Sequence, residues 1–213
     1  DPLESVSFYL YQYQSAELDH QYSATRVRQA DYLSILSNLD HFYFLRKLQL
    51  QCELINLRNV FNTETDMLLI EDICELIVRN NFFQSPLIEV YYGILMMLTS
   101  PEKESEDYFL RVVKLINQSN TKFPIPDLNN TYQYVKNFCI RMINTGNDGY
   151  RKILFELYKT ILSNKRIMNH GDFSPWEYKN IVTLGLRLQE EKWVREFIRK
   201  YLNFLPIDER ANA

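Results

Sequence analysis

Two segments of this chain repeat each other 46 residues apart. Their shared pattern is Tyr-x-x-aliphatic-x-x-x-small-aliphatic-Arg-aliphatic, starting at Tyr132 and again at Tyr178, with Cys139 and Gly185 as the small residues. Both copies lie in sequence with helical periodicity, and a second helical segment follows each copy. A fixed period of this size is typical of stacked helical hairpins. The repeat therefore predicts an all-α array.

Small side chains recur at one place in each predicted hairpin. They are Cys52, Gly93, Cys139 and Gly185, with spacings of 41, 46 and 46 residues. A small side chain in the first helix of a hairpin lets the second helix approach closely, which gives a physical reason for the recurrence. The spacing predicts about four hairpins in a right-handed α-α superhelix.

Helical periodicity covers most of the chain and predicts about ten helices and no sheet. Only five glycines occur in 213 residues. All-β and Rossmann-type folds need glycine in turns and phosphate-binding loops, so this scarcity argues against them. Serine followed by proline, at Ser85-Pro86 and Ser100-Pro101, predicts two helix starts. The predicted helices span about residues 3–22, 24–37, 39–61, 66–80, 86–99, 101–118, 127–144, 150–163, 175–190 and 191–204.

We divide the chain into three parts. Residues 1–38 are an irregular helical N-terminal part, residues 39–206 are the hairpin array, and residues 207–213 follow it. The C-terminal sequence begins with Pro206 and continues with acidic residues, an order that is typical of a helix start. We therefore expect a further helix or a truncated tail here, with the array continuing beyond Ala213 in a longer protein.

The last predicted hairpin, residues 178–206, resembles a tetratricopeptide repeat. Leu184-Gly185 is similar to the Leu-Gly pair of the first helix of that repeat, Trp193 to the aromatic residue opening the second, and Pro206 to the terminal proline. The period is longer than the usual 34 residues, and no small alanine is evident in the second helix. The resemblance implies a TPR-like helical-repeat protein that holds a protein or peptide partner.

Charge and hydropathy argue against two classes of partner. The net charge is −3 and no run of Lys and Arg occurs, whereas nucleic-acid binders usually carry a basic excess. No apolar run approaches the roughly 18–20 residues needed to span a bilayer. We therefore expect neither nucleic acid nor membrane as a partner.

The three cysteines, Cys52, Cys74 and Cys139, are widely separated and show no spacing typical of a zinc site. Each lies in apolar helical sequence, so we expect buried, reduced thiols in a cytoplasmic protein. The three histidines share no ligand spacing either. The sequence thus predicts no metal and no cofactor.

One motif resembles a catalytic loop. Residues 170–172, His-Gly-Asp, are similar to the His-Gly-Asp-x-x-x-x-Asn loop of aminoglycoside and choline phosphotransferases, but Glu177 stands at the Asn position. No glycine-rich strand-turn-strand precedes it. A helix start explains the same segment, with Ser174 as N-cap, Pro175 in the first turn and Glu177 closing a capping box. We favour the helix start and predict no catalytic residues.

Arg141 and Arg187 are the candidate binding residues, because the other repeated positions are explained by packing. In stacked hairpins they would form neighbouring rungs about 10 Å apart and bind carboxylates of an acidic peptide or a chain terminus. The alternative is that each arginine pairs with a nearby acid on an ordinary surface.

The predicted function is a non-enzymatic scaffold for a protein or peptide. An enzyme with its active site in a helical cleft is the alternative, and an RNA-binding helical repeat is the third, disfavoured by charge. A groove with clustered Arg or Tyr would favour the scaffold, and a pocket with paired carboxylates or histidines would favour the enzyme.

Overall fold

A computed structural model describes residues 4–22, 29–61, 69–119, 121–168, 174–206 and 210. These ranges contain ten α-helices and two short 3₁₀ helices, and no strand is present within them. The predicted all-α class is confirmed. The superhelical stacking of the hairpins stays a prediction.

The chain divides into two units, residues 1–135 and residues 136–213. The helices of the first unit are α1 Val6–Tyr22, α2 Gln29–Phe61, α3 Ile70–Arg79, the 3₁₀ helix Phe82–Gln84, α4 Pro86–Thr99, α5 Glu102–Ser119 and the first half of α6 Ile125–Asn144. Those of the second unit are the rest of α6, α7 Gly149–Ser163, α8 Lys165–Met168, α9 Pro175–Arg187, α10 Glu191–Tyr201 and the 3₁₀ helix Leu202–Phe204.

Helix α2 is longer than predicted. The predicted break between the segments 24–37 and 39–61 is absent, because α2 runs continuously through residue 38. The ring of His41 lies within hydrogen-bonding distance of the Ser37 carbonyl, with Nδ1 2.7 Å from the oxygen. Neither Gly nor Pro interrupts this segment, so the helix continues. Its polar residues are accommodated by local hydrogen bonds.

The core of the first unit forms between α2, α4 and α5. Helix α4 is buried over most of its circumference, which suits its nearly uninterrupted apolar sequence. Gly93 of α4 faces Val112 of α5, and a Cβ built on this glycine would lie 2.8 Å from Val112 Cγ2. The close approach predicted at Gly93 is therefore confirmed. The buried residues of α2 include Phe44, Leu45, Leu48, Cys52 and Ile55.

The core of the second unit is aromatic. The rings of Trp193 and Phe197 in α10 stack with centroids 5.3 Å apart, and the Phe197 ring lies 5.1 Å from that of Tyr178 in α9. A Cβ on Gly185 would lie 2.5 Å from Val194 Cγ2 and 3.1 Å from Phe155 Cε2. Gly185 thus lets α9 approach both α10 and α7, as its place in the repeat predicts.

The predicted helix starts at Ser85-Pro86 and Ser174-Pro175 are confirmed in position, with proline in the first turn of α4 and α9. Neither serine side chain forms a capping hydrogen bond. The predicted capping box with Glu177 is therefore wrong, and its carboxylate has another partner, described below. The His-Gly-Asp motif of residues 170–172 lies outside the described residues.

The cysteines are packing residues. Cys52 and Cys139 are buried and Cys74 is partly buried, all as free thiols. Burial raises the pKa of Cys139 to about 12 and that of Cys74 to about 11, and raises the pKa of Cys52 as well. Within the described residues no group of three metal-ligating side chains comes together. In the same ranges, no helix is both long enough and apolar enough to cross a membrane.

Candidate functional site

A groove of about 300 Å³ lies in the second unit, between α6, α7 and α9. Its apolar lining consists of Ile140, Ile143, Leu154, Tyr158, Trp176 and Leu184. Its polar lining consists of Asn144, Arg151, Asn180, Thr183 and Arg187.

Helical spacing produces this groove. The lining residues of each helix are mainly three or four positions apart and so share one face. Leu154, Tyr158 and Leu184 are buried and form the floor, while Trp176 is 75% exposed and stands at the rim. An apolar floor with a mixed rim suits a ligand that has both apolar and polar groups.

The groove has two distinct ends. Phe155 of α7 lies beside Gly185, near the end of α9, whereas Lys136 contacts both Tyr158, further along α7, and Glu177, at the start of α9. The two helices therefore run in opposite directions. Arg151, one turn before Phe155, consequently lies at the same end of the groove as Arg187, and Trp176 lies at the other.

The positive charge of the groove is concentrated at this arginine end. Arg151 pairs with Asp148, at 2.9 Å between Nη2 and Oδ1, while its Nε is buried without a hydrogen-bond partner among the described atoms. Arg187 is exposed, and no described acid lies within ion-pair distance of it. The described lining contains no Asp, Glu, His or Cys. This end can therefore attract an anion.

Of the two predicted binding residues, one lines the groove and the other does not. Arg187 lines the groove, but Arg141 is not among the lining residues and its Cζ lies 5.0 Å from the centroid of the Phe138 ring. Arg151 and Trp176 line the groove instead, although neither was predicted as a binding residue. The proline-aromatic pair at the start of α9 was the available signal for Trp176, but it was interpreted only as a helix start.

A buried ion pair fixes the start of α9 beside the groove. Lys136 Nζ donates a hydrogen bond to Glu177 Oε1, and this ammonium also lies 5.8 Å from the centroid of the Tyr158 ring. Lys136 is almost fully buried, so the carboxylate of Glu177 is its essential counterion. Because Glu177 adjoins Trp176, the pair positions the aromatic rim of the groove.

The first unit contains a second buried polar cluster, which anchors helices. Asp127 Oδ1 accepts hydrogen bonds from Gln49 Nε2 at 2.7 Å and from Tyr91 Oη at 2.9 Å, so α2 and α4 both hold the first turn of α6. Burial raises the pKa of the Asp127 carboxyl, while the two hydrogen bonds and the charge of Arg46 oppose that shift. The cluster thus contains one carboxyl held by neutral donors, which is an anchoring arrangement.

The two described histidines lie in the first unit, in aromatic contacts. His41 stacks on Tyr9 with ring centroids 4.9 Å apart, and His20 lies 4.4 Å from the ring of Tyr32. His170 lies outside the described residues.

No protein-family model, curated protein or solved structure matches this chain at a significant level. A proposal for its function therefore rests on the geometry of the site.

Proposed function

We propose that this chain is a non-enzymatic interaction module whose groove binds the C-terminal segment of a partner protein. The free carboxylate of that segment lies at the arginine end, beside Arg151 and Arg187, and its apolar side chains lie on the floor towards Trp176. We place this module in the cytoplasm, where its three free thiols would stay reduced. We also retain the TPR-like stacking as part of the proposal.

The observation that carries the proposal is the position of the charge. Both guanidinium groups of the groove lie at one end, and the rest of the described lining is uncharged. A peptide with several acidic side chains would need cations along its length. A single terminal carboxylate needs them at one end only, where guanidinium geometry favours paired hydrogen bonds.

The length of the groove sets the size of the ligand. Trp176 and Arg187 are eleven positions apart on α9, a rise of about 16 Å along the helix axis. An extended peptide advances about 3.3 Å per residue, so about five residues fit between the two ends. Asn144, Asn180 and Thr183 on the rim supply hydrogen bonds for the peptide backbone.

The lining supports binding over catalysis. Among the described lining residues, the ionisable groups are the two arginines and Tyr158, and burial raises the pKa of Tyr158. The described lining contains no Asp, Glu, His, Lys or Cys that could serve as a general acid or base. Two arginines at one end also fall short of the continuous basic stripe that RNA needs.

A peptide panel tests the proposal. Fluorescently labelled pentapeptides with apolar residues and a free C-terminus would be compared with the same peptides amidated, using fluorescence anisotropy. We expect amidation to weaken binding about ten-fold or more, because it removes the charge that the arginines recognise. Equal binding of both sets would exclude the chain terminus. Binding only of peptides with internal acids would point to acidic side chains.

Arg187→Glu is the decisive variant, and Arg199→Glu is its matched control. Both arginines are exposed and lie in the last turn of a helix, α9 and α10 respectively, so the two substitutions alter net charge and helix-end electrostatics alike. We expect Arg187→Glu to weaken binding about a hundred-fold and Arg199→Glu to have little effect. Equal losses in the two variants would contradict a local site.

A further inference from the structure

Helix α2 carries an apolar stripe on the face opposite the core, which we call the outer stripe. Its six apolar side chains are 37–55% exposed, although side chains on the other face of the same helix are fully buried. They are Tyr32, Leu36, Leu39, Tyr43, Leu50 and Leu57.

The spacing of the outer stripe is that of a coiled-coil seam. With Arg46 and Glu53, which are also exposed, the positions from Tyr32 to Leu57 alternate steps of four and three without interruption. A repeat averaging 3.5 residues keeps one face of a helix against a second helix. Within the described residues, only Tyr32 has an aromatic neighbour from another element, the ring of His20. The stripe therefore has the pattern of a helix-pairing surface.

The stripe is complementary to itself when two copies run antiparallel. In one register Leu39 meets Leu50 of the partner subunit, Leu36 meets Glu53 of the partner subunit, and Tyr32 meets Leu57 of the partner subunit. Tyr43 then meets Arg46 of the partner subunit, an aromatic–guanidinium contact. The long stems of Arg46 and Glu53 cover apolar neighbours while their charged ends stay in water.

The flanking charges select the same register. Asp40 and Lys47 lie along one edge of the stripe, and in the antiparallel pair Asp40 faces Lys47 of the partner subunit on both sides of the two-fold axis. In a parallel, in-register pair each seam position would face itself, so Arg46 and Glu53 would each oppose a like charge.

We propose that the outer stripe of α2 is a homodimer interface, in which two copies of this chain pair α2 against α2 in antiparallel orientation. The interface lies in the first unit and does not depend on the groove or its ligand. Two-fold pairing of this kind is the commonest form of self-association.

Sedimentation equilibrium of the full chain, from about 1 to about 100 µM, tests the proposal. We expect the wild type to show a reversible monomer–dimer equilibrium. Leu50→Glu places a charge in two symmetry-related layers, so we expect the dissociation constant to rise about a hundred-fold. Leu110→Glu is the control, because Leu110 is a similarly exposed leucine on α5, away from the stripe. Unchanged circular dichroism in both variants would verify their folding.

A charge swap tests the orientation. Asp40→Lys alone and Lys47→Asp alone should each raise the dissociation constant about ten-fold, because two attractive pairs become repulsive. The double variant should restore wild-type affinity, since the pairs re-form with their signs exchanged.

Three outcomes would overturn the proposal. They are a wild type that stays monomeric across the whole concentration range, a Leu50→Glu variant that dimerises as well as Leu110→Glu, and a double charge-swap variant no stronger than the single ones. The last outcome would exclude the antiparallel register.

Discussion

In the hairpin α4/α5 of the first unit and the hairpin α9/α10 of the second, a glycine lets two helices approach closely. The two glycines differ in how many neighbouring side chains occupy the space that a Cβ would take. Gly93 makes room for one methyl group, Val112 Cγ2, whereas Gly185 makes room for a valine methyl and a phenylalanine ring from two different helices. A side chain at residue 93 would have to displace one neighbour. One at residue 185 would have to displace two, so the second hairpin depends more strongly on its glycine.

The two units also bury charge differently. Asp127 of the first unit is held by the neutral donors Gln49 and Tyr91, while Lys136 of the second unit is held by the opposite charge of Glu177. A carboxyl among neutral donors can become neutral by binding a proton. A buried ammonium paired with a carboxylate depends on that counterion. The stability of the first unit should therefore depend on pH, and that of the second unit should depend on the presence of Glu177.

The largest effect is expected from Gly185→Leu. We expect it to lower the free energy of unfolding of the second unit by about 3 kcal/mol through overpacking against Val194 and Phe155. Both tryptophans of the chain lie in this unit, so their fluorescence during urea unfolding reports it specifically.

Two other glycines provide the comparison for that variant. Gly93→Leu should lower the free energy of unfolding of the first unit by less, about 1–2 kcal/mol. This effect should appear in circular dichroism and not in tryptophan fluorescence. Gly149→Ala is the neutral control, because the closest atom to its new Cβ is a flexible Asn147 oxygen at 3.4 Å. Equal losses for Gly93→Leu and Gly185→Leu would break the proposed difference between the hairpins.

A smaller loss is expected when the buried ammonium loses its counterion. Glu177→Ala should destabilise the second unit by about 2 kcal/mol, less than a fully buried pair would cost because Glu177 is partly exposed. The double variant Lys136→Met/Glu177→Gln removes the buried charge altogether and should lie within about 1 kcal/mol of the wild type. If the double variant lost as much stability as Glu177→Ala, the destabilisation by Glu177→Ala would not come from the unpaired charge of Lys136. Thermal melts followed by tryptophan fluorescence would distinguish these results.

The smallest effect concerns pH and the first unit. Burial raises the pKa of Asp127 in the folded state above its ordinary value of 3.8, so the folded chain holds this proton more tightly than the unfolded chain. The resulting stability is present below the ordinary pKa and is lost as pH rises through the folded-state value.

Asp127→Asn keeps an acceptor oxygen for Gln49 and Tyr91 but cannot ionise. We expect the stability of this variant relative to the wild type to increase as pH rises from about 4 to about 7, as measured by urea unfolding followed by circular dichroism. A constant difference across this range would show that the folded-state pKa is not raised.

The helices of this fold were largely predictable, and the errors have local causes. Serine-proline pairs placed the starts of α4 and α9 correctly because proline favours the first turn. Helix α9 was predicted to reach residue 190 but ends at Arg187. Gln189 adopts a left-handed conformation with φ of 61°, and the amide of Glu190 donates a hydrogen bond to the carbonyl of Gly185, at 2.9 Å. No glycine marks this turn, so its sequence gave no signal.

The candidate site was only half predictable. Repetition singled out Arg187 and Arg141, but repetition reflects equivalent positions in two helices and not a shared surface. Arg151 belongs to another helix, and it lies at the same end of the groove as Arg187 because α7 runs antiparallel to α9. The partner of Glu177 lies 41 residues away, and a long-range ion pair of this kind leaves no local pattern.

The three cysteines affect how this protein can be studied. A thiol reacts with alkylating reagents as its thiolate, and burial keeps the pKa of all three above the usual value, so the native chain should react slowly at neutral pH. A cysteine introduced at an exposed position, such as Trp176 at the rim of the groove, would be the fastest to react. Such a position would accept a spectroscopic label without removal of the native cysteines, and so without disturbing the core they help to fill.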